Sequence, residues 1–336
     1  MTKVIQPGRR TGSVLIPSSK SIAHRELIAA ALSGAEPPLI RGESQDTCAT
    51  RNCLKAMMAG ERVWPCGESG TTLRLLEPIA GVMGWKGEFK CEGRLGERPR
   101  LPFEKRPCYV IPGNISSQFI SGLLMALPLA DWDSEVTIEG VLQSAAYVRL
   151  TEDTLRASGI IFDKNGQTWF IKGGQRYRFV GGREVEGDWS QAAFFLAMGV
   201  EAVGLKHDSH QGDRAIVQLL AAIRGGAQTV DVAQTPDLYP CLAAYAAATG
   251  RAVTFTGTER LRFKESDRMA ATVALIESVK NGKPVNTFGD HRIAMSAAVM
   301  AGWAKVPVTV EGAECVAKSY PGFWQDFESL ETLEGD

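Results

Sequence analysis

One unit recurs six times along the chain, and this repetition constrains the fold more than any other feature. Each unit opens with a short strand, passes through a polar turn and enters a helix of small apolar residues. The six openings are Ser13-Val14-Leu15-Ile16 into SSKSIAHRELIAAAL, Val63-Trp64 into GESGTTLRLLEPIAGV, Tyr109-Val110-Ile111 into SSQFISGLLMALPLA, Arg183-Glu184-Val185-Glu186 into GDWSQAAFFLAMGV, Thr229-Val230-Asp231-Val232 into TPDLYPCLAAYAA, and Pro284-Val285-Asn286-Thr287 into FGDHRIAMSAAVMAG. Helices that are apolar nearly all round are expected to be buried. Their polar first residues suit N-caps, and Pro128 and Pro240 predict kinks. The second half of the unit is a strand, a loop and usually an amphipathic helix. Its apolar face is read as Val148, Thr151 and Leu155 in one unit, Ile216, Leu219, Leu220 and Ile223 in another, and Met269, Val273 and Ile276 in a third. Six units divide into three plus three, with a break near residues 181–188.

Length agrees with this division, since 336 residues suggest about two domains. A net charge of −1 gives no global field for nucleic acid or an anionic membrane. Lys3, Arg9 and Arg10 read as a solvated basic arm. No apolar run reaches the length of a membrane span, and the N-terminus lacks a secretory core. Seven scattered cysteines do not form a disulfide framework, and no Cys/His cluster has zinc spacing. A reduced, cytoplasmic protein is expected.

Polar and cationic residues gather at the strand-to-helix turns. Helix N-termini offer unpaired N–H groups and a positive dipole end, so they receive phosphate and carboxylate. The turns are Ser18-Ser19-Lys20-Ser21 with Arg25, Glu68-Ser69-Gly70-Thr71, Ser116-Ser117-Gln118, Pro236-Asp237 and Gly289-Asp290-His291-Arg292. The second-half loops add Arg98, Ser144, Lys264-Glu265-Ser266-Asp267-Arg268 and Lys318. Each element alone has a plain structural reading. Lys20 is equally a solvated cap, Gly70 a turn glycine, Ser116 and Asp237 simple caps, and residues 264–268 a solvated charged turn. Arg25, on an apolar helix, must be paired if buried. Together the turns suit polyanionic ligands.

Eight stretches stand in the order found in a known family: IPSSKSIAHRELIAAAL, CGESGTTLRLL, GERP, SSQFISGLLMALPLA, PDLYPCLAAYAA, KESDRMAA, FGDHRIAM and VAKSYPGFWQDF. In these the chain resembles the 5-enolpyruvylshikimate-3-phosphate synthases from Ile16 to Phe327. The resemblance implies an α/β fold of two similar domains with three repeats each, buried helices surrounded by sheet, and an active site in the interdomain cleft. The first domain would hold residues 19–186, and the second residues 1–18 and 187–336. Position by position, it implies shikimate 3-phosphate binding by Lys20, Ser21, Arg25, Ser116, Ser117, Gln118, Ser144, Asp237, Arg260 and Lys264. It implies phosphoenolpyruvate binding by Lys20, Gly70, Arg98, Gln118, Arg268, Arg292 and Lys318. The catalytic groups would be Lys20, Asp237, Glu265 and His291. Glu68 stands where many members have Asn, with helix capping as its reading here. Arg260 stands where an Asn often contacts the shikimate phosphate. The chain is also short for the family, with material missing after Met58, Phe103, Gly226 and Val279.

The implied reaction is transfer of the enolpyruvyl group to the 5-hydroxyl by addition and elimination, a step toward chorismate and the aromatic amino acids. Asp237, with Lys20, would serve the hydroxyl. Glu265 would exchange the methylene proton, which requires desolvation and the ligands' charge to favour its acid form. The two substrates carry roughly five to six negative charges, answered by Lys20, Arg25, Arg98, Arg268, Arg292 and Lys318. No metal, nucleotide or organic cofactor is called for, and a monomer is expected. The resemblance also implies inhibition by glyphosate. The competing readings are an enolpyruvyl transferase for a UDP-amino sugar, a non-catalytic anionic-metabolite binding protein, and a purely structural repeat protein.

Overall fold

Four of the six openings fold as strand, buried helix and parallel strand, an arrangement that covers an all-apolar helix on several sides. The computed structural model describes residues 1–97 and 100–333. The chain divides into two units. A terminal unit holds Met1–Ser19, Gly42–Ser44 and Glu186–Asp336, and a middle unit holds Lys20–Arg41 and Gln45–Val185.

The terminal unit begins with β1 (Thr2–Ile5), β2 (Arg10–Thr11) and β3 (Ser13–Leu15). The middle unit follows with α1 (Lys20–Ser33), α2 (Gln45–Met58), β4 (Val63–Gly67), α3 (Gly70–Met83), β5 (Glu88–Cys91), β6 (Cys108–Pro112), α4 (Ser117–Ala126), β7 (Ser134–Glu139), α5 (Ala145–Ala157), β8 (Phe162–Asn165) and β9 (Thr168–Ile171). Parallel pairs β4–β5 and β6–β7 bracket α3 and α4, and β9 and β8 extend the second sheet antiparallel. Among the described residues no α-helix stands between β5 and β6, so the second repeat lacks a helix in its second half.

The terminal unit resumes with α6 (Trp189–Met198), β10 (Glu201–Val203), α7 (Ile216–Arg224), β11 (Thr229–Asp231), α8 (Tyr239–Ala248), β12 (Thr254–Thr256), α9 (Arg268–Lys280), β13 (Val285–Asn286), α10 (His291–Ala301), β14 (Val308–Glu311), α11 (Phe323–Glu328) and β15 (Glu331–Thr332). Parallel pairs β11–β12 and β13–β14 bracket α8 and α10. β1 adds antiparallel to β14, and β15 to β2. The two remaining repeats exchange strands. β3, which precedes α1, pairs with β10, which follows α6. Glu184, which precedes α6, bridges Leu39, which follows α1. Where the chain leaves and re-enters the terminal unit, the Ser19 amide donates to the Glu186 carbonyl at 2.7 Å. The buried Gln211 carboxamide grips both segments there, accepting from Ser19 Oγ at 2.9 Å and donating to the Gly187 carbonyl at 2.9 Å.

Burial follows the small-residue pattern. Every residue of α10 is buried, and Ala294, Ala297, Ala298 and Ala301 let it pack against the equally small-faced α8. In the middle unit Gly122 of α4 lies directly on the α3 backbone. A Cβ there would stand 2.2 Å from the Arg74 carbonyl oxygen.

Several expectations change. Arg183–Glu186 forms a single bridge rather than a strand, because its partner Leu39 lies in a short connection. Neither proline kinks a helix. α4 stops at Ala126 and Pro128 joins a 3-10 turn, while Pro240 lies in the first turn of α8, where its missing N–H is harmless. The buried face of α9 is Arg268, Ala271, Thr272 and Leu275, with Val273 exposed, because Arg268 has to turn inward to its carboxylates. Arg10 is no solvated arm. It donates to the Gly8 and Gln6 carbonyls and to Thr332 Oγ1, and stacks over Phe327.

Three helix ends close alike. After α2, α7 and α9 a glycine adopts positive φ, as at Gly60 (φ 74) and Gly282 (φ 64), and the next amide bonds back five residues. Glu61 N reaches the Ala56 carbonyl at 2.9 Å and Lys283 N the Ser278 carbonyl at 2.8 Å. This C-terminal stop satisfies helix carbonyls and releases the chain straight toward the next strand.

Replacing Gly122 by Ala drives a methyl into the α3 backbone. A loss of about 1–3 kcal/mol is expected in urea unfolding, whereas Gly225→Ala, at φ −74 with ordinary contacts, changes little.

Candidate active site

Buried arginine needs anions, and in the terminal unit this need organises a cluster at three helix starts. Arg268 opens α9, where Asp267 is the N-cap and accepts from Ala270 N at 3.2 Å. Its guanidinium is 1% exposed and meets three carboxylates. Nη1 donates to Asp237 Oδ1 at 2.8 Å, Nε to Asp290 Oδ2 at 2.9 Å, and Nη2 to Glu265 Oε2. Asp290 caps α10 through the Arg292 amide and also accepts from Ser266 Oγ at 3.0 Å. Asp237 takes Arg292 Nη2 at 3.1 Å and Lys264 Nζ at 3.1 Å. Arg292 Nη1 donates to the Asp237 backbone carbonyl at 3.1 Å.

The charges set the protonation states. Burial opposes the Asp237 carboxylate, but Arg292, Lys264 and Arg268 outweigh it and hold its pKa well below the usual range. Burial lowers Lys264 more than its carboxylate neighbours raise it. Burial also opposes Arg268, yet Asp290, Glu265 and Asp237 raise it. Nearby, Asp213 accepts from Ser190 Oγ, and burial together with the Asp237 charge pushes it up to about 6.

Asp237, Lys264, Glu265, Arg268 and Arg292 therefore stand in direct contact. Asp237 is not a helix cap, because its carboxylate is committed to these cations. His291 is buried beside Arg292, and Lys318 is buried in a 3-10 turn that packs on α10. Arg260, half-buried, donates to the Ala233 carbonyl at 2.7 Å.

The middle unit assembles its own set. Lys20 opens α1 and pairs with the buried Asp46 at 2.8 Å. Ser21 follows it, offering its carbonyl to Arg25 Nη1 at 2.5 Å. Arg25 also donates to Thr151 Oγ1 at 2.8 Å and the Tyr147 carbonyl at 2.9 Å, and burial lowers it to about 10. Gly70 opens α3 behind its cap Ser69. Glu68 is not the cap; it packs over Gly93, where a Cβ would meet Oε1 at 2.4 Å. Ser116 caps α4, placing Ser117 and Gln118 in its first turn. Gln118 accepts from Arg74 Nη1 at 2.6 Å and donates to Thr71 Oγ1 at 2.8 Å, which joins the starts of α3 and α4. Ser144, buried before α5, holds φ at 57. Positive φ outside glycine occurs among the described residues at Ser144, itself a candidate, and at Phe288, shortly before His291 and Arg292 of α10. Arg98 lies outside the described residues.

Sequence reasoning missed Asp46, Asp290, Arg74 and Thr71 as partners. Asp290 had a signal, standing as a capping residue directly before His291-Arg292. Asp46 had none, since only the packing of α1 on α2 reveals it.

A buried-helix α/β fold with cations at its turns defines a class, and the fold has known counterparts. Two structures of EPSP synthase from Acinetobacter baumannii superpose with a TM-score of 0.71 at 21% and 20% identity, covering 99% and 100% of this chain and all of theirs. The chain has the enolpyruvyl transferase fold. The family profile described as EPSP synthase (3-phosphoshikimate 1-carboxyvinyltransferase) matches residues 109–327. A Clostridium kluyveri protein named 3-phosphoshikimate 1-carboxyvinyltransferase is 35% identical over 97% of this chain and 96% of its own length. A Clostridium perfringens protein of the same name is 34% identical over 97% of each. The chain belongs to the EPSP synthase family. The Clostridium kluyveri alignment runs over 412 positions against 336 residues here, so this chain is the shorter.

Removing Arg268 takes a buried cation from three carboxylates, of which Asp237 keeps Lys264 and Arg292. Arg268→Leu is expected to lose about 3–5 kcal/mol in denaturant unfolding at neutral pH, with Arg268→Lys recovering part. Asp213, with its folded pKa above the unfolded one, contributes stability fully below about pH 4 and loses it as pH rises through about 6. Asp237 behaves oppositely, contributing above about pH 4 and losing that contribution on acidification. Asp213→Asn should therefore gain on the parent between pH 4 and 7 in urea titrations; an unchanged difference across that range would refute the assignment.

Proposed function

We propose that this chain transfers the carboxyvinyl group of phosphoenolpyruvate to the 5-hydroxyl of shikimate 3-phosphate and releases phosphate. The observation that carries the reading is Asp237 held by Lys264, Arg268 and Arg292 within a chain of the EPSP synthase family. The protein's own carboxylates neutralise the cations. Anionic substrates compete for Arg292 and Lys264. Asp237 then loses the partners that depress it and becomes a stronger base.

Asp237, with Lys20, takes the 5-hydroxyl proton as the oxygen adds to the central carbon of phosphoenolpyruvate. Glu265 protonates the methylene carbon. The resulting ketal phosphate collapses as Glu265 takes back a methyl proton and phosphate leaves. Arg98, Arg268, Arg292, Lys318 and Gly70 receive phosphoenolpyruvate, with His291 beside them. Ser21, Arg25, Ser116, Ser117, Gln118, Ser144 and Arg260 receive shikimate 3-phosphate. Arginine suits both ligands because its fork binds paired oxygens. In this reading the enzyme serves aromatic amino acid biosynthesis in the cytoplasm. Among the described residues no helix is long and apolar enough to cross a membrane. The readings as a UDP-amino-sugar transferase, a binding protein or a structural repeat have no comparable support.

A phosphate-release assay with both substrates tests the reading. Turnover is expected, falling roughly 10²- to 10⁴-fold in Asp237→Ala and Glu265→Gln, while calorimetry still detects shikimate 3-phosphate binding to Glu265→Gln. Absence of phosphate release by the parent protein would sink the proposal. Glyphosate is expected to compete with phosphoenolpyruvate.

A further inference from the structure

Three free cysteines meet in the middle unit just before α3. Trp64 of β4 and Phe89 of β5 stand opposite each other, their rings 4.8 Å apart on the inner side of the sheet. Residues two further along a strand share that side, and these are Cys66 and Cys91. The burial pattern agrees, since Cys66 is fully buried and Cys91 half-buried. A register shift between Pro65 and Gly67 sets Gly67 opposite Cys91, which makes Cys66 the diagonal neighbour. Cys53 of α2 is buried against β4. The Cys66 thiol donates to the Ser69 carbonyl at 3.4 Å, and the Cys53 and Cys91 thiols both lie close enough to shift its ionisation. Neighbouring strands are about 4.8 Å apart and successive residues about 3.3 Å, so a diagonal pair stands about 5.8 Å apart, inside the Cα window of about 4.4–6.8 Å that a disulfide spans.

We propose that Cys66 and Cys91 form a latent dithiol couple that closes to a disulfide by exchange with a small disulfide such as oxidised glutathione. Cys91, the accessible member, attacks one sulfur of glutathione disulfide. That S–S bond breaks, a mixed disulfide forms and one glutathione leaves. Cys66 then attacks the Cys91 sulfur, its proton passing to the departing second glutathione. Two protein thiols are oxidised and one small disulfide is reduced to two thiols. Cys66 is the resolving group because it lies on the same side of the sheet; Cys53 reaches it only from the helix.

The couple is quiet near neutral pH. Burial and the Cys66 thiol push Cys91 up to about 11, with Arg100 opposing and Glu77 reinforcing. The neighbouring Cys53 thiol and burial push Cys66 further up, with a smaller push from Asp46. Oxidation therefore needs sustained exposure or alkaline conditions. Once formed, the link staples β4 to β5 immediately ahead of the Gly67–Gly70 turn. Glu92 N already holds the Gly67 carbonyl there at 2.8 Å. The effect on phosphoenolpyruvate rests on the proposed function; the cross-link itself does not.

The test is incubation of the whole protein with oxidised glutathione at about pH 8.5, followed by intact mass and peptide mapping. The expected product is a Cys66–Cys91 peptide pair, two hydrogens lighter and reversed by dithiothreitol. It should be absent in Cys91→Ser and retained in Cys53→Ser. A lasting glutathione adduct on Cys91 with Cys66 still reduced, or a Cys53–Cys66 link, overturns the couple. In the oxidised protein the KM for phosphoenolpyruvate should rise roughly threefold or more and return on reduction; an unchanged KM overturns the effect on the turn. Failure of the function reading would show separately, as an inactive reduced protein.

Discussion

A guanidinium almost wholly withdrawn from water demands anions, and Arg268 has three of them. Each comes from a different stretch of chain: Asp237 from the turn before α8, Glu265 from the loop ahead of α9, and Asp290 from the cap of α10. Satisfying one buried cation therefore fixes three helix starts at once. Lys264 and Arg292 complete the balance, three positive groups against three carboxylates. Such a network is costly to leave half-satisfied and rigid when complete. It is also built from exchangeable parts, because a ligand phosphate or carboxylate can replace a protein carboxylate on an arginine without leaving any charge bare.

The middle unit solves a similar problem with less charge. Its helix starts are held by one ion pair, Asp46 to Lys20, and otherwise by neutral or singly charged contacts: Ser69 to Thr72, Ser116 to Gln118, and Gln118 to Arg74 and Thr71. Backbone contact at Gly122 sets the spacing of α3 and α4 on which the last of these depends. Packing and polar geometry are therefore coupled through a residue with no side chain of its own.

Strands and helices were legible in the sequence wherever small apolar runs followed a polar turn, as at α3, α4 and α10. The pattern misled where tertiary demands prevailed. Val273 occupies a helical core position by spacing, yet Arg268 claims the inward face of α9. Arg10 looks like a solvated cation, yet the carbonyls of residues 6 and 8 and the Phe327 ring enclose it. The exchange of strands between the first and fourth repeats could not be read either, because local pattern does not say which of several equivalent strands will be the partner. Among the candidate residues, the KESDR and GDHR turns stand out only through their order in the family resemblance, since KESDR alone reads as a solvated charged turn. Asp46 and Arg74 are ordinary surface-type residues until their helices pack.

The positive-φ glycines that end α2, α7 and α9 have a consequence for how such a chain can vary. Each closes its helix with hydrogen bonds drawn from the helix itself; Gly60 and Gly226 have open space where a side chain would grow, and at Gly282 a Cβ would make an ordinary contact with Val306 at 3.6 Å. The ends they produce are self-sufficient joints, indifferent to what the chain does next. Extra segments could be spliced in or excised at Gly60, Gly226 and Gly282 without re-engineering the layers on either side. Length in this architecture is thus a freely adjustable property, and a compact chain and a long one can share the same chemistry.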